Sequence, residues 1–131
     1  MKNNRIISYC QAINEALHQE MERDERIFVY GLDVADQKRT FGSGFGLLER
    51  FGPKRYFTTP LSESAMMGLG GGAAIAGLRP INVHIRVDFL LLAMNQLINM
   101  IAPMHYGSGE KLSVPLVIRA IIGRGWGQGF Q

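Results

Sequence analysis

The chain has 131 residues, of which 47% are hydrophobic and 19% charged, and its formal net charge is +3. That composition excludes a disordered chain and allows one domain with a buried core. A single cysteine, Cys10, excludes an internal disulfide and a CxxC zinc or redox site, and the basic residues are too scattered to make a nucleic-acid face.

The chain begins MKNNR without the apolar core of a signal peptide. Ser8 and Gln11 form a capping-box pattern, and Tyr9, Cys10, Ile13, Ala16, Leu17 and Met21 follow at helical spacing, so the first helix is predicted over 9–23. After the polar turn 23–26, the apolar run 27–30, closed by Gly31, reads as a buried parallel strand. The stretch 32–46 is polar, glycine-dotted and aperiodic, the mark of a long functional or disordered loop. One or two helical turns over 46–51 end at Gly52-Pro53, and 55–58 is a second strand.

Next comes a turn with one acid, Glu63, between Ser62 and Ser64, either of which can cap the following helix, predicted over 65–75. That helix is dominated by Gly and Ala. Each internal glycine costs about 1 kcal/mol relative to alanine, so the helix needs close packing against something. The least charged stretch, 64–78, holds five glycines and falls short of the roughly 20 apolar residues that span a bilayer. No membrane or nucleic-acid partner is expected, and the cytoplasm or an organelle matrix is the expected compartment.

The stretch 81–87 alternates, with Ile81, Val83, Ile85 and Val87 on one face and Asn82, His84 and Arg86 on the other. A strand covered on both sides is normally apolar throughout, so the polar face is predicted to meet water, a cleft or another subunit. Asp88 then opens an apolar helix predicted from Phe89 to about Met104. The run 114–118 is a fourth strand, with Pro115 near its start where a missing donor is tolerated. The order is that of a parallel α/β sheet between helices, with right-handed connections. The last strand runs into a glycine-rich segment with no helix after it, which leaves one sheet face uncovered. The chain therefore reads as one partial domain over 1–131.

Three patterns carry weaker signals. Gly68, Gly70 and Ala73 fit a loose GxGxxA and Asp88 lies 20 residues after Gly68, but the glycines sit inside a helix and not at its opening, so close packing is the better reading. Gly123, Gly125, Gly127 and Gly129 alternate with Arg124, Trp126, Gln128 and Phe130, a pattern closer to a mobile loop than to an RNA-binding tract. His18, His84 and His105 have no partners at metal-ligand spacing, so no metal site is expected on this chain, and only His84 is placed to line a cleft. Glu63 keeps two readings: a ligand at the carboxyl end of a strand, or an acid that stabilises the helix dipole by about 0.3–1 kcal/mol and does nothing else.

The run FGPKRYFTTPLSESAMMGLGGGAAIAGLRP, with AINEAL before it and DFLLLAMNQLIN and VPLVIR after it, resembles the β subunit of thiamine-diphosphate-dependent 2-oxo acid dehydrogenases, the E1 component of pyruvate, branched-chain or acetoin complexes. The resemblance implies a pyrimidine-binding domain of the thiamine-diphosphate fold. It implies that Glu63, the acid of the family's TPxSE motif, binds N1′ of the aminopyrimidine as the catalytic acid, and that Phe89, the aromatic of the DF motif, stacks on that ring. A carboxyl group at N1′ favours the imino tautomer, whose nitrogen takes the proton from thiazolium C2. Diphosphate and Mg²⁺ are implied to sit on a partner α subunit in an α2β2 heterotetramer. The substrate is implied to be a 2-oxo acid, and the acyl group to pass to a lipoyl-bearing E2 acyltransferase.

Two departures stand out. Gly31-Leu32-Asp33-Val34 has leucine where the family often has the acid of GEDV, and Gln131 aligns with the glutamine of a QHS motif whose histidine would come next. The alternative to a catalytic subunit is a shortened, non-catalytic paralogue or fragment that keeps the fold and acts as a binding or structural partner.

Overall fold

In the computed structural model of the chain, residues 5–123, Gly125 and Gly127 are described. The alternating side chains Arg124, Trp126, Gln128 and Phe130, and Gln131, lie outside these residues.

The first helix, α1, covers Tyr9–Arg23, and the capping box forms as predicted: Gln11 N–H donates to Ser8 Oγ at 3.2 Å, and the Gln11 side chain accepts from Ser8 N–H at 2.8 Å. At its other end Arg55 donates to the Met21, Asp24 and Ile27 carbonyls, satisfying acceptors that a helix end and turn leave open. The first strand, β1, runs Ile27–Leu32, two residues further than the apolar run. A short helix, α2 (Leu47–Phe51), leads to β2 (Tyr56–Thr59), and the glycine-rich helix α3 covers Glu63–Ile75. Then β3 (Arg79–His84), two short helices, α4 (Val87–Leu90) and α5 (Met104–Gly107), and β4 (Val117–Ala120) complete the order.

The strands form one parallel sheet in the order β2-β1-β3-β4, as predicted from the alternation of elements. Side-chain alternation sends the two faces to different layers. Ile27, Val29, Tyr56 and Val83 pack with Leu17 and Met21 of α1 and Leu47 of α2. Phe28, Tyr30 and Phe57 pack with Met66 and Ala73 of α3. The close helix contact predicted from the glycines is made at Gly70, where an added Cβ would stand 2.1 Å from the Tyr30 hydroxyl, and that hydroxyl donates to the Met66 carbonyl at 2.8 Å.

The loop between β1 and α2 is ordered through left-handed backbone. Arg39, Thr40 and Phe41 have φ of 46°, 52° and 57°, followed by Gly42 at 90°. Such residues cost about 1–2 kcal/mol each when not glycine. Side chains of α1 hold the turn: Cys10 Sγ donates to the Phe41 carbonyl at 3.2 Å, and Asn14 Nδ2 donates to those of Ser43 and Phe45, each at 3.0 Å.

Several expectations need correction. Ser62 holds the N-cap position of α3 but makes no side-chain cap bond, and Ser64 Oγ donates instead to the Leu92 carbonyl at 2.9 Å. The helix is buried only along Met66, Met67, Gly70, Gly71 and Ala74. The polar face of β3 does not meet water: Asn82 and His84 are 0% and 2% exposed, under α3. The apolar stretch after Asp88 is not one helix. It bends by 52° between Val87–Ala93 and Asn95–Gly107, and Asn95–Ile101 winds as a π-helix, with Ala102 N–H donating to the Leu97 carbonyl at 2.8 Å. Apolar spacing does not separate the α from the π winding, and the wider turn brings Ile101 to 2.9 Å from where a Gly71 Cβ would stand. The fourth strand begins at Val117, two residues past Pro115. Among the described residues, no single helix is long and apolar enough to cross a membrane.

Two glycines of α3 provide a paired test. Gly70→Ala should destabilise the chain by about 1–3 kcal/mol in chemical denaturation, because the new methyl group meets the Tyr30 hydroxyl. Gly72→Ala, with nothing within 4 Å of its Cβ, should stabilise it by about 0.5–1 kcal/mol.

Candidate functional site

Because all the strands are parallel, the ends at Leu32, Thr59, His84 and Ala120 lie along one edge of the sheet. The chain leaves β1 toward β2 on one side and returns from β2 past β1 to β3, so the strand order reverses between β1 and β3. Helices leaving on either side of such a point diverge and open a crevice at the carboxyl ends, the preferred ligand position in open α/β sheets.

Glu63 and Phe89 both stand at this edge. Glu63 is the first residue of α3, four residues after the end of β2. It is half-buried, makes no hydrogen bond or ion pair among the described residues, and shares a helix face with Met66 and Met67, three and four positions on. Its carboxyl group therefore sits above a buried apolar stripe and at the positive end of a helix dipole. Phe89, also half-buried, lies in the first turn of the segment after β3. The Ser64–Leu92 hydrogen bond ties that segment to the start of α3. One side-chain-to-backbone bond thus holds the two segments together.

Buried polar groups gather at the same edge. His84 Nε2 lies 2.8 Å from Asn82 Oδ1. Since that oxygen only accepts, the bond puts a proton on Nε2. Burial lowers the His84 pKa from the usual histidine value of 6.5, and the Glu63 charge partly opposes that shift. Asn82 Nδ2 and Thr59 Oγ1 are buried with no hydrogen-bond partner among the described residues. Unsatisfied buried groups are uncommon, and their position here marks the strand ends as a place where polar contacts are still to be made.

His84 is thus half a fulfilled expectation: it borders the Glu63 region but inside the layer, not on an open face. The sequence reading passed over Arg119. It sits two positions from Val117 on the same side of β4, so the alternation rule alone puts a cation on a face that β1 and β3 fill with apolar side chains. Among the described residues no group of three or more His, Cys, Asp or Glu is placed to hold a metal ion.

Residues 5–128 match the family described as "Transketolase, pyrimidine binding domain". Among curated relatives, the chain is 46% identical over 120 residues to the 2-oxoisovalerate dehydrogenase subunit beta of Bacillus subtilis, covering 92% of this chain and 37% of that protein. It is 42% identical over 113 residues to the pyruvate dehydrogenase E1 component subunit beta of Rickettsia bellii, covering 86% and 35%. It is 40% identical over 113 residues to the mitochondrial pyruvate dehydrogenase E1 component subunit beta of Bos taurus, covering 86% and 32%. The chain spans about a third of the length of these relatives.

The buried imidazole sets a pH dependence. With the folded pKa below 6.5, the unfolded chain binds the proton first as pH falls, so the stability due to neutral His84 is complete above about pH 6.5 and is lost below it. Denaturation midpoints should therefore fall between pH 7 and pH 5. His84→Gln, which keeps a donor for Asn82 but does not titrate, should flatten that slope.

Proposed function

The chain belongs to the transketolase pyrimidine-binding domain family, and on that premise we propose that it is the β subunit, or the N-terminal part of one, of a thiamine-diphosphate-dependent 2-oxo acid dehydrogenase. The observation that carries this reading is the unpaired, half-buried Glu63 at the start of α3, joined through Ser64 and Leu92 to the helix start that bears Phe89.

These residues fit the aminopyrimidine half of thiamine diphosphate. A carboxyl group with no side-chain hydrogen bond or ion pair among the described residues is available to one ring nitrogen, an aromatic side chain is available to one ring face, and Thr59 and Asn82 offer buried polar atoms at the same edge. In the proposed role Glu63 holds a hydrogen bond to N1′ from above the buried stripe of Met66 and Met67. Phe89 orients the ring by stacking. When bound, the cofactor supplies the electron sink that decarboxylation of a 2-oxo acid requires.

The diphosphate and Mg²⁺ belong, in this proposal, to a partner α subunit in an α2β2 assembly. The substrate is a 2-oxo acid, the acyl group goes to a lipoyl-bearing E2 acyltransferase, and the compartment is the cytoplasm or a mitochondrial matrix. The names of the relatives, each a beta subunit of a 2-oxoisovalerate or pyruvate dehydrogenase, support the β-subunit part of this reading.

In the enzyme assembled with its α subunit, Glu63→Gln should lower turnover by about 10²–10⁴-fold, the range of general acid–base catalysis, while circular dichroism and the denaturation midpoint stay near those of the parent. Near-parental turnover would remove Glu63 from the proposed role.

A further inference from the structure

Strand β3 buries two polar side chains where a strand between two layers normally carries apolar ones. Asn82 and His84 are both buried, and alternation sends both to the α3 face, where β1 and β2 present Phe28, Tyr30 and Phe57. In register, Asn82 lies beside Tyr30 of β1 and Ile118 of β4, and His84 beside Ala120 of β4. Apolar side chains would fill these two positions without the cost of taking an amide and an imidazole out of water. The proposed function has so far given the pair nothing to do.

The pair is held in one arrangement. With Nε2 donating to Asn82 Oδ1 at 2.8 Å, Nδ1 is the nitrogen at which the ring gains or loses a proton. Asn82 Nδ2 has no hydrogen-bond partner among the described residues, so the bond to His84 is the one that fixes the amide. His84 closes β3, and Glu63 opens α3, the helix laid over that face. Glu63 is the only titratable residue of α3. On β1 the Tyr30 phenol, its pKa raised by burial, donates to the Met66 carbonyl. Arg119 of β4 belongs to the opposite face, and Asp33, Arg86 and Asp88 follow the ends of β1 and β3. Of all these groups, Glu63 is the one whose charge is felt at the imidazole, where it opposes the lowering of the pKa by burial.

Linkage makes that interaction reciprocal. Since the Glu63 charge favours the imidazolium form, whatever engages the Glu63 carboxyl group competes with a proton on His84 Nδ1. We propose that His84, held by Asn82, is a positioning residue for the aminopyrimidine site: as a neutral ring it leaves the Glu63 carboxyl group to N1′, and as imidazolium it draws that group to itself and weakens retention of the cofactor. This role of His84 rests on the proposed role of Glu63. The proton on Nδ1 comes from solvent and returns to solvent when the aminopyrimidine binds, so no further reactant takes part. The sign follows: retention is full above the His84 pKa, which lies below 6.5, and falls as the pH drops through it.

The test is calorimetric titration of thiamine diphosphate with Mg²⁺ into the chain assembled with its α subunit, in steps from pH 8 to pH 5. At pH 8 the parent and His84→Gln should bind within about two-fold of each other. By pH 5 the parent should have lost about ten-fold more affinity than His84→Gln, the weight of one charge pair at a half-buried site. A second measurement needs no cofactor and carries the test if His84→Gln does not fold: NMR titration of the His84 imidazole in the full chain, in the assembly in which it purifies, should give a lower pKa in Glu63→Gln than in the parent. Parallel loss of affinity in the parent and His84→Gln overturns the proposal, as does a His84 titration that Glu63→Gln leaves unchanged. A parent that binds no cofactor at pH 8 removes the role of Glu63 and that of His84 with it, a result distinct from a parent that binds with the pH profile of His84→Gln.

Discussion

The geometry of the candidate site depends on one contact: the Tyr30 hydroxyl donating to the Met66 carbonyl across the gap that Gly70 leaves open. A helix with a side chain at position 70 could not lie so close to β1. Because it does, α3 rests directly on the centre of the sheet and its first residue, Glu63, is fixed at the carboxyl edge. Burial pushes the Tyr30 phenol well above its usual pKa, so it remains a donor over the whole working range of pH. The glycines that weaken α3 as an isolated helix are what allow it to be held by tertiary packing.

This contact also divides the molecule. On the α3 side, polar atoms of Thr59, Asn82 and His84 are buried near an unpaired acid. On the α1 side, Arg119 and Thr40 border an apolar groove between α1 and β4. The sheet separates the two, and β3 and β4 serve both, since Asn82 and His84 face one layer while Ile81, Val83 and Arg119 face the other.

Much of this was legible in the residues. Periodicity and the capping box located α1, and the β-α alternation predicted a parallel sheet, because both depend on local spacing. The motif around Glu63 pointed to the carboxyl edge through the family resemblance, not through spacing alone, and the structure places Glu63 at that edge. What sequence could not resolve depended on contacts distant in the chain. The polar face of β3 was expected to meet water, a cleft or another subunit because alternation does not say what lies above it, and Asn82 and His84 are buried under α3. The bend and π winding after Asp88 arise where that segment meets Gly71 and Ser64, partners more than 20 residues away. Arg119 was overlooked because a single cation near a strand end carries no pattern.

The central claim is that the edge bearing Glu63 and Phe89 is half of a thiamine-diphosphate site. The most direct measurement is a calorimetric titration of thiamine diphosphate and Mg²⁺ into the chain alone and into the chain mixed with a candidate α subunit. The account predicts saturable binding in the mixture that exceeds binding to either subunit alone. A mixture that forms a stable complex yet binds the cofactor no better than the α subunit by itself would contradict it.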